Sequence, residues 1–193
     1  LQLEKDGANV TMMKFASHTG THLDVPRHVV AGAATLSDLT PDDFIFDAPL
    51  VIDLPLEDAA VVQPEDLMPF TSAAEKADFL LFRFGYGAIR KKDPKRFTTR
   101  APGFGVESAR FLLENFLVMR GMGMDVPSLS CIEYLDETMA AHNILLEGPD
   151  RHFVIVEDMK LDLDLNSLKQ VIVSPLLAAD LDGGPCTVIG VFE

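Results

Sequence analysis

The chain has 193 residues, 48% of them hydrophobic, and 30 acidic against 16 basic side chains give a net charge of −14. That length and apolar content suffice for one substantial core, so residues 1–193 are expected to form a single domain. The negative charge repels phosphate backbones and anionic lipid, which argues against nucleic acid or a membrane surface as partner and for a small-molecule substrate. No apolar run approaches the roughly 20 residues of a membrane span. Cys131 and Cys186 are far apart and lack Cys-x-x-Cys spacing. This argues against a structural zinc site or a disulfide-stapled secreted domain, and for a reducing, cytoplasmic setting.

The first informative segment is His18-Thr-Gly-Thr-His22-Leu-Asp24-Val-Pro26-Arg-His28, which holds three of the five histidines. In an extended strand residues two apart share a face, so His22 and Asp24 project together, and Gly20 lets the backbone turn to bring His18 to the same point. Imidazole and carboxylate suit zinc or manganese, and three protein ligands with an open position are the arrangement of a hydrolytic metal centre. Pro26 is expected to prevent a helix and to hold His28 at a fixed offset, free for proton transfer. The Thr19 and Thr21 hydroxyls are placed to fix ring tautomers.

Further along, short apolar runs rich in β-branched and aromatic residues predict strands over 50–54, 79–84, 116–119, 153–156, 170–173 and 187–192. Helical spacing lies between them. Residues 107–116 place Ala109, Leu112, Leu113 and Phe116 on one face, and 133–146 do the same with Leu135, Met139, His142 and Leu146. Residues 64–67 read as a first helical turn, with Pro64 leading and acids following. The least regular stretch, 85–105, carries the basic cluster Arg90, Lys91, Lys92, Lys95 and Arg96, expected as a solvated loop. Phe82 and Phe84 just before it and Tyr86 and Phe104 within it are expected to wall a substrate pocket. Gly85-Tyr-Gly87 and Gly103-Phe-Gly105 lack the full dinucleotide fingerprint. The run Asp162-Leu-Asp164-Leu-Asn166 lacks the glycine and terminal glutamate of a calcium loop. Together the elements predict an α/β fold.

The early motif carries every fixed position of His-x-Gly-Thr-His-x-Asp-x-Pro-x-His, and so the chain resembles the cyclase family of metal-dependent hydrolases, which includes bacterial kynurenine formamidase (arylformamidase) and isatin hydrolase. Weaker similarities extend the match: Gly121-Met-Gly-Met-Asp125-Val-Pro-Ser128, Phe153-Val-Ile-Val-Glu157-Asp-Met-Lys-Leu, and Asp180-Leu-Asp-Gly183-Gly184-Pro185. The resemblance implies a swivelling β/β/α fold, a mixed sheet with flanking helices, assembling as homodimer or homotetramer. It implies His18, His22 and Asp24 as ligands of a first metal. Asp24 would bridge to a second held by His142 and Glu157, with His28 as the catalytic histidine. It also implies a short leading segment before the signature, which residues 1–193 are expected to lack.

The expected activity is metal-dependent hydrolysis of an amide, an aryl formamide of the N-formylkynurenine kind (a tryptophan-catabolism substrate) or a cyclic amide. Metal-bound hydroxide would attack and His28 would serve as general acid/base. One or two Zn2+ per protomer are expected, with Mn2+ as the other candidate. Two other readings share the same residues: a metal-binding or interaction protein without turnover, and a metal-dependent cyclase or dehydratase.

Overall fold

A computed structural model describes residues 2–148 and 152–193. In chain order the elements are α1 (Leu3–Asp6), β1 (His22–Asp24), β2 (Ile45–Phe46), β3 (Pro49–Asp53), β4 (Val61–Val62), α2 (Pro64–Leu67), β5 (Phe79–Arg83), α3 (Gly87–Lys92) and α4 (Pro94–Thr99). They continue with β6 (Gly103–Phe104), α5 (Val106–Asn115), β7 (Gly121–Met124), α6 (Leu135–Leu146), β8 (Val154–Glu157), β9 (Leu168–Pro175) and β10 (Gly183–Phe192). Eight strands form one mixed sheet in the order β2-β9-β10-β1-β8-β7-β5-β3, and β4 with β6 form a small parallel pair. The half from β8 to β3 is parallel, whereas β1 runs antiparallel to both its neighbours, β10 and β8.

Two residues, Asp47 and Ala48, separate β2 from β3, yet these strands lie at opposite edges of the sheet. A trans peptide chain spans at most about 3.6 Å per residue. The sheet must therefore curl until its edges almost meet, giving a near-barrel. Strand alternation then sorts side chains into an inside and an outside. Leu23, Phe46, Phe79, Leu81, Val154, Val156, Val171 and Val173 pack together on one face. Leu80, Phe82, Met122, Met124 and Ile155 face the other way, against Ala109 and Leu112 of α5 and Ala141 and Leu145 of α6.

The expected strand over 116–119 is not formed; Phe116 and Met119 are buried plugs in the connection from α5 to β7, while Leu117 and Val118 are exposed. The strand is instead Gly121–Met124, whose glycines read as breakers in the sequence. A Cβ on Gly123 would lie 2.3 Å from Met159 Sδ, and one on Gly121 would lie 2.8 Å from Val154 Cγ2. The curled sheet has no room for side chains there.

The stretch 85–105 also departs from expectation. It folds into α3 and α4, and Pro94 starts α4 where its missing N–H costs nothing. Asp93 caps that helix by accepting the Arg96 N–H at 2.9 Å. The basic side chains here are paired as well as solvated: Arg90 reaches Asp158 at 2.8 Å and Arg96 reaches Asp58 at 2.8 Å. In α6 the buried stripe is Thr138, Ala141, His142, Leu145 and Leu146, with Leu135 exposed. Thr138 turns inward because its hydroxyl ties the helix to the preceding turn, donating to the Tyr134 carbonyl and accepting the Cys131 N–H.

Candidate metal centre

Strand β1 is short but central. His22 lies opposite Glu157 of β8 and opposite Pro185 of β10, and Asp24 lies opposite Gly183. Leu23 points into the barrel, so His22 and Asp24 point outward beside Glu157, toward α6 and its His142. Gly20 takes the left-handed conformation, φ 68°, which a side chain would resist. Its carbonyl accepts the His22 Nδ1–H at 2.8 Å, and the turn brings His18 back so that Nδ1 stands 2.6 Å from Asp24 Oδ1. Pro26 does not block helical structure, as expected from the sequence, but starts a single 3-10 turn, Pro26–His28, at the position where proline is tolerated. That turn delivers His28 to the cluster, its ring centroid 4.0 Å from that of His18 and 5.3 Å from that of His142.

The donor atoms converge as a coordination shell would. With Nδ1 of His22 donating to Gly20, its Nε2 carries a lone pair when the ring is neutral. That lone pair meets Glu157 Oε2 at 3.2 Å and Asp24 Oδ1 at 3.5 Å. Ligands about 2.0–2.1 Å from a tetrahedral zinc are roughly 3.3 Å from one another. Three lone pairs at that spacing, buried, require a positive charge between them. Glu157 is fixed for this by its other oxygen, which accepts the Leu129 N–H at 2.6 Å and the Ser128 hydroxyl at 3.3 Å. His142 Nε2 reaches Asp24 Oδ2 at 3.2 Å, and its Nδ1 is buried with no partner among the described residues. Two triads of mutually close donors result, His22 with Asp24 and Glu157, and His18 with Asp24 and His28.

The electrostatics agree with a cation site. Burial would raise the Asp24 pKa, but His142 and His18 against its two oxygens hold it below the ordinary carboxylate range. Burial would lower the pKa of His18, yet the carboxylates of Asp24 and Asp182 outweigh it and raise the ring to about 9. His22 and His142 are shifted up by their carboxylate neighbours in the same way, against burial. Without a metal the acids draw protons onto the rings, and a divalent ion would take their place. Imidazole nitrogens with carboxylate oxygens suit zinc, manganese and similar divalent ions.

The structure thus brings together His18, His22, Asp24, His28, His142 and Glu157. It does not bring Phe82, Phe84, Tyr86 or Phe104 to a pocket. All four are at most 2% exposed and belong to the packed layer between sheet and helices. Phe82 and Phe84 stack on one another and meet Phe104 edge-on, and the Tyr86 hydroxyl is spent on Asp58 and the Arg100 carbonyl. They are core residues rather than the pocket walls expected from the sequence, since the layer between the sheet and α5 and α6 buries apolar rings. One residue of the cluster went unassigned in the sequence, Asp182. Its Oδ2 lies 3.0 Å from His18 Nε2 and 3.4 Å from His28 Nδ1. The available signal was its place directly before Gly183-Gly184-Pro185.

Access is one-sided. The side chains of His22, Asp24, His142 and Glu157 are at most 5% exposed, whereas those of His18, His28 and Asp182 are 23%, 25% and 39% exposed. Residues 3–130 match the model of the family described as "Putative cyclase". The chain belongs to this cyclase family. It is 27% identical over 187 residues to kynurenine formamidase of Bacillus cereus, covering 96% of this chain and 81% of that one. It is 28% identical over 158 residues to cyclase-like protein 1 of Arabidopsis thaliana, covering 80% of this chain but only 58% of the relative's length. Among solved structures, an isatin hydrolase bound to the product analogue thioisatinate superposes with a TM-score of 0.78 at 17% identity, covering 93% of this chain and 74% of that one. That similarity establishes the cyclase-family fold.

Proposed function

We propose that this chain is a metal-dependent amidohydrolase acting on a small aryl formamide or cyclic amide. The observation that carries the proposal is the convergence of His22 Nε2, Asp24 Oδ1 and Glu157 Oε2 at ligand-to-ligand spacing, next to a histidine open to solvent. The names of relatives, a kynurenine formamidase and an isatin hydrolase, support the substrate class.

His18, His22 and Asp24 would hold one divalent ion, zinc or manganese, and Glu157 and His142 would complete the binding of it or of a second sharing Asp24. When bound, such an ion supplies a Lewis acid for the carbonyl and lowers the pKa of water from about 15.7 to roughly 7. The protein's own part is twofold. The buried quartet excludes water from the inner side, so substrate meets the centre only from the side of His18 and His28. His28, turned with Nδ1 toward Asp182, keeps Nε2 for the substrate. There it takes a proton from the attacking water and returns it to the amide nitrogen, which is a poor leaving group until protonated. A cytoplasmic homo-oligomer is part of the same proposal. Among the described residues no helix is long and apolar enough to cross a membrane.

The test is to measure metal per protomer by elemental analysis and assay N-formylkynurenine, simple aryl formamides and isatin with product mass recorded. Net addition of one water, as amine plus formate from a formamide or as the ring-opened acid from isatin, with stoichiometric metal, is expected. Loss of water would identify a dehydratase instead, and full metal with no turnover across a wider amide and lactone panel would identify a binding protein.

A further inference from the structure

We infer that Asp182 is a positioning residue that clamps His18 and His28 with one carboxylate oxygen, coupling the metal-holding half of the site to its proton-transfer half. The inference rests on the function proposed above, and it concerns a side chain that the signature motif, ending at His28, does not contain.

The geometry carries it. A single atom, Asp182 Oδ2, lies within hydrogen-bond reach of His18 Nε2 and His28 Nδ1. A carboxylate oxygen only accepts, so each ring presents an N–H there. This fixes the tautomers. His18 is left with Nδ1, the nitrogen facing Asp24 Oδ1 at 2.6 Å, as its donor toward the metal position. His28 is left with Nε2 for substrate. An outer carboxylate that orients a ligating histidine sets both ring angle and basicity. Here the same carboxylate does so for two rings whose centroids are 4.0 Å apart.

Asp182 is itself pinned by the fold. Its carbonyl accepts the Val25 N–H at 3.3 Å, and the preceding Leu181 carbonyl accepts the Leu36 N–H at 2.9 Å. The next residue, Gly183, pairs with Asp24 in the β1–β10 ladder. The carboxylate therefore hangs from the backbone that also carries the metal-holding aspartate, on the side of the site open to solvent. Without Asp182, His28 loses the acceptor that sets its ring and can turn over, and His18 keeps only its contact with Asp24.

The test uses Asp182→Ala, with Asp182→Asn as the conservative variant and Asp180→Asn as a control that removes a nearby charge without touching either ring. Zinc affinity of the metal-stripped protein is read by competition with a chromogenic chelator, and the His28 tautomer by nitrogen-15 NMR. Asp182→Ala is expected to weaken zinc binding about 10–100-fold. It should also shift His28 from the Nδ1–H form toward the commoner Nε2–H form. Asp182→Asn, which keeps one acceptor oxygen, should lie between it and wild type, and Asp180→Asn should match wild type. At saturating zinc, Asp182→Ala should lower kcat while leaving KM nearly unchanged.

Wild-type zinc affinity and an unchanged His28 tautomer in Asp182→Ala overturn the inference, as does an equal effect from Asp180→Asn. If Asp182→Ala does not fold, Asp182→Asn decides by the same two readings. Because affinity and tautomer are read without substrate, a clamp that holds in a protein hydrolysing no amide would refute the proposed function alone. Turnover with no clamp would refute only this inference.

Discussion

Gly183→Ala tests whether the β1–β10 contact builds the site. A Cβ placed on Gly183 falls 2.5 Å from the Leu23 carbonyl oxygen, 2.8 Å from His18 Cε1 and 3.4 Å from Asp24 Oδ1. The first of these is backbone in the centre of the sheet, so it cannot yield without opening the ladder between β1 and β10. Overpacking of this kind costs about 1–3 kcal/mol. For a chain of this size each kcal/mol moves the melting temperature by about 2–4 °C, so a loss of about 2 kcal/mol corresponds to roughly 4–8 °C. The same methyl displaces the His18 ring from Asp24, and zinc affinity is expected to fall about 10–100-fold, the scale seen when groups orienting a ligand are disturbed. Gly184→Ala is the control, because its added Cβ meets nothing closer than 3.5 Å. Thermal melts of the metal-stripped proteins and chelator competition measure both effects. Indistinguishable behaviour of the two variants would refute the register-based account of the site.

The other predictions concern protons and metal. His28→Ala should retain full metal and lose turnover about a hundred- to ten-thousandfold; equal loss of both would make His28 a ligand, as its closeness to His18 and Asp24 permits. Asp24→Ala should lose the metal, since its two oxygens contact His18, His22 and His142; a full complement by elemental analysis would refute the ligand assignment. In the metal-stripped protein burial would lower the His18 pKa, but the Asp24 and Asp182 carboxylates raise it from the ordinary 6.5 to about 9. The stabilisation from the protonated ring is complete below pH 6.5 and is lost as pH rises through 9. Its melting temperature should fall over that window, while metal affinity rises because the ligands must shed protons. A melting temperature that climbs toward pH 9 would contradict this assignment.

The sequence by itself determined the chemistry of β1. Side chains at i and i+2 share a face of any strand, and a glycine permits the turn that returns His18, so the spacing of His18, His22 and Asp24 encodes their convergence locally. Strands over 50–54, 79–84 and 153–156 were legible for a similar reason, as apolar β-branched runs need no partner to be recognised. The strand of Gly121–Met124 was not, because its glycines are demanded by side chains from β5, β8 and Met159 that meet only when the sheet curls. The buried face of α6 was displaced for the same kind of reason, a Thr138 hydroxyl bonding the turn before it. The meeting of Glu157 with His22, of His142 with Asp24, and of Asp182 with both His18 and His28 is decided by the antiparallel insertion of β1 between β8 and β10. That register joins residues more than a hundred positions apart, and no local periodicity records it. The four aromatics between 82 and 104 went inside because the layer between the sheet and α5 and α6 buries apolar rings, a tertiary preference that overrides the irregular look of the stretch.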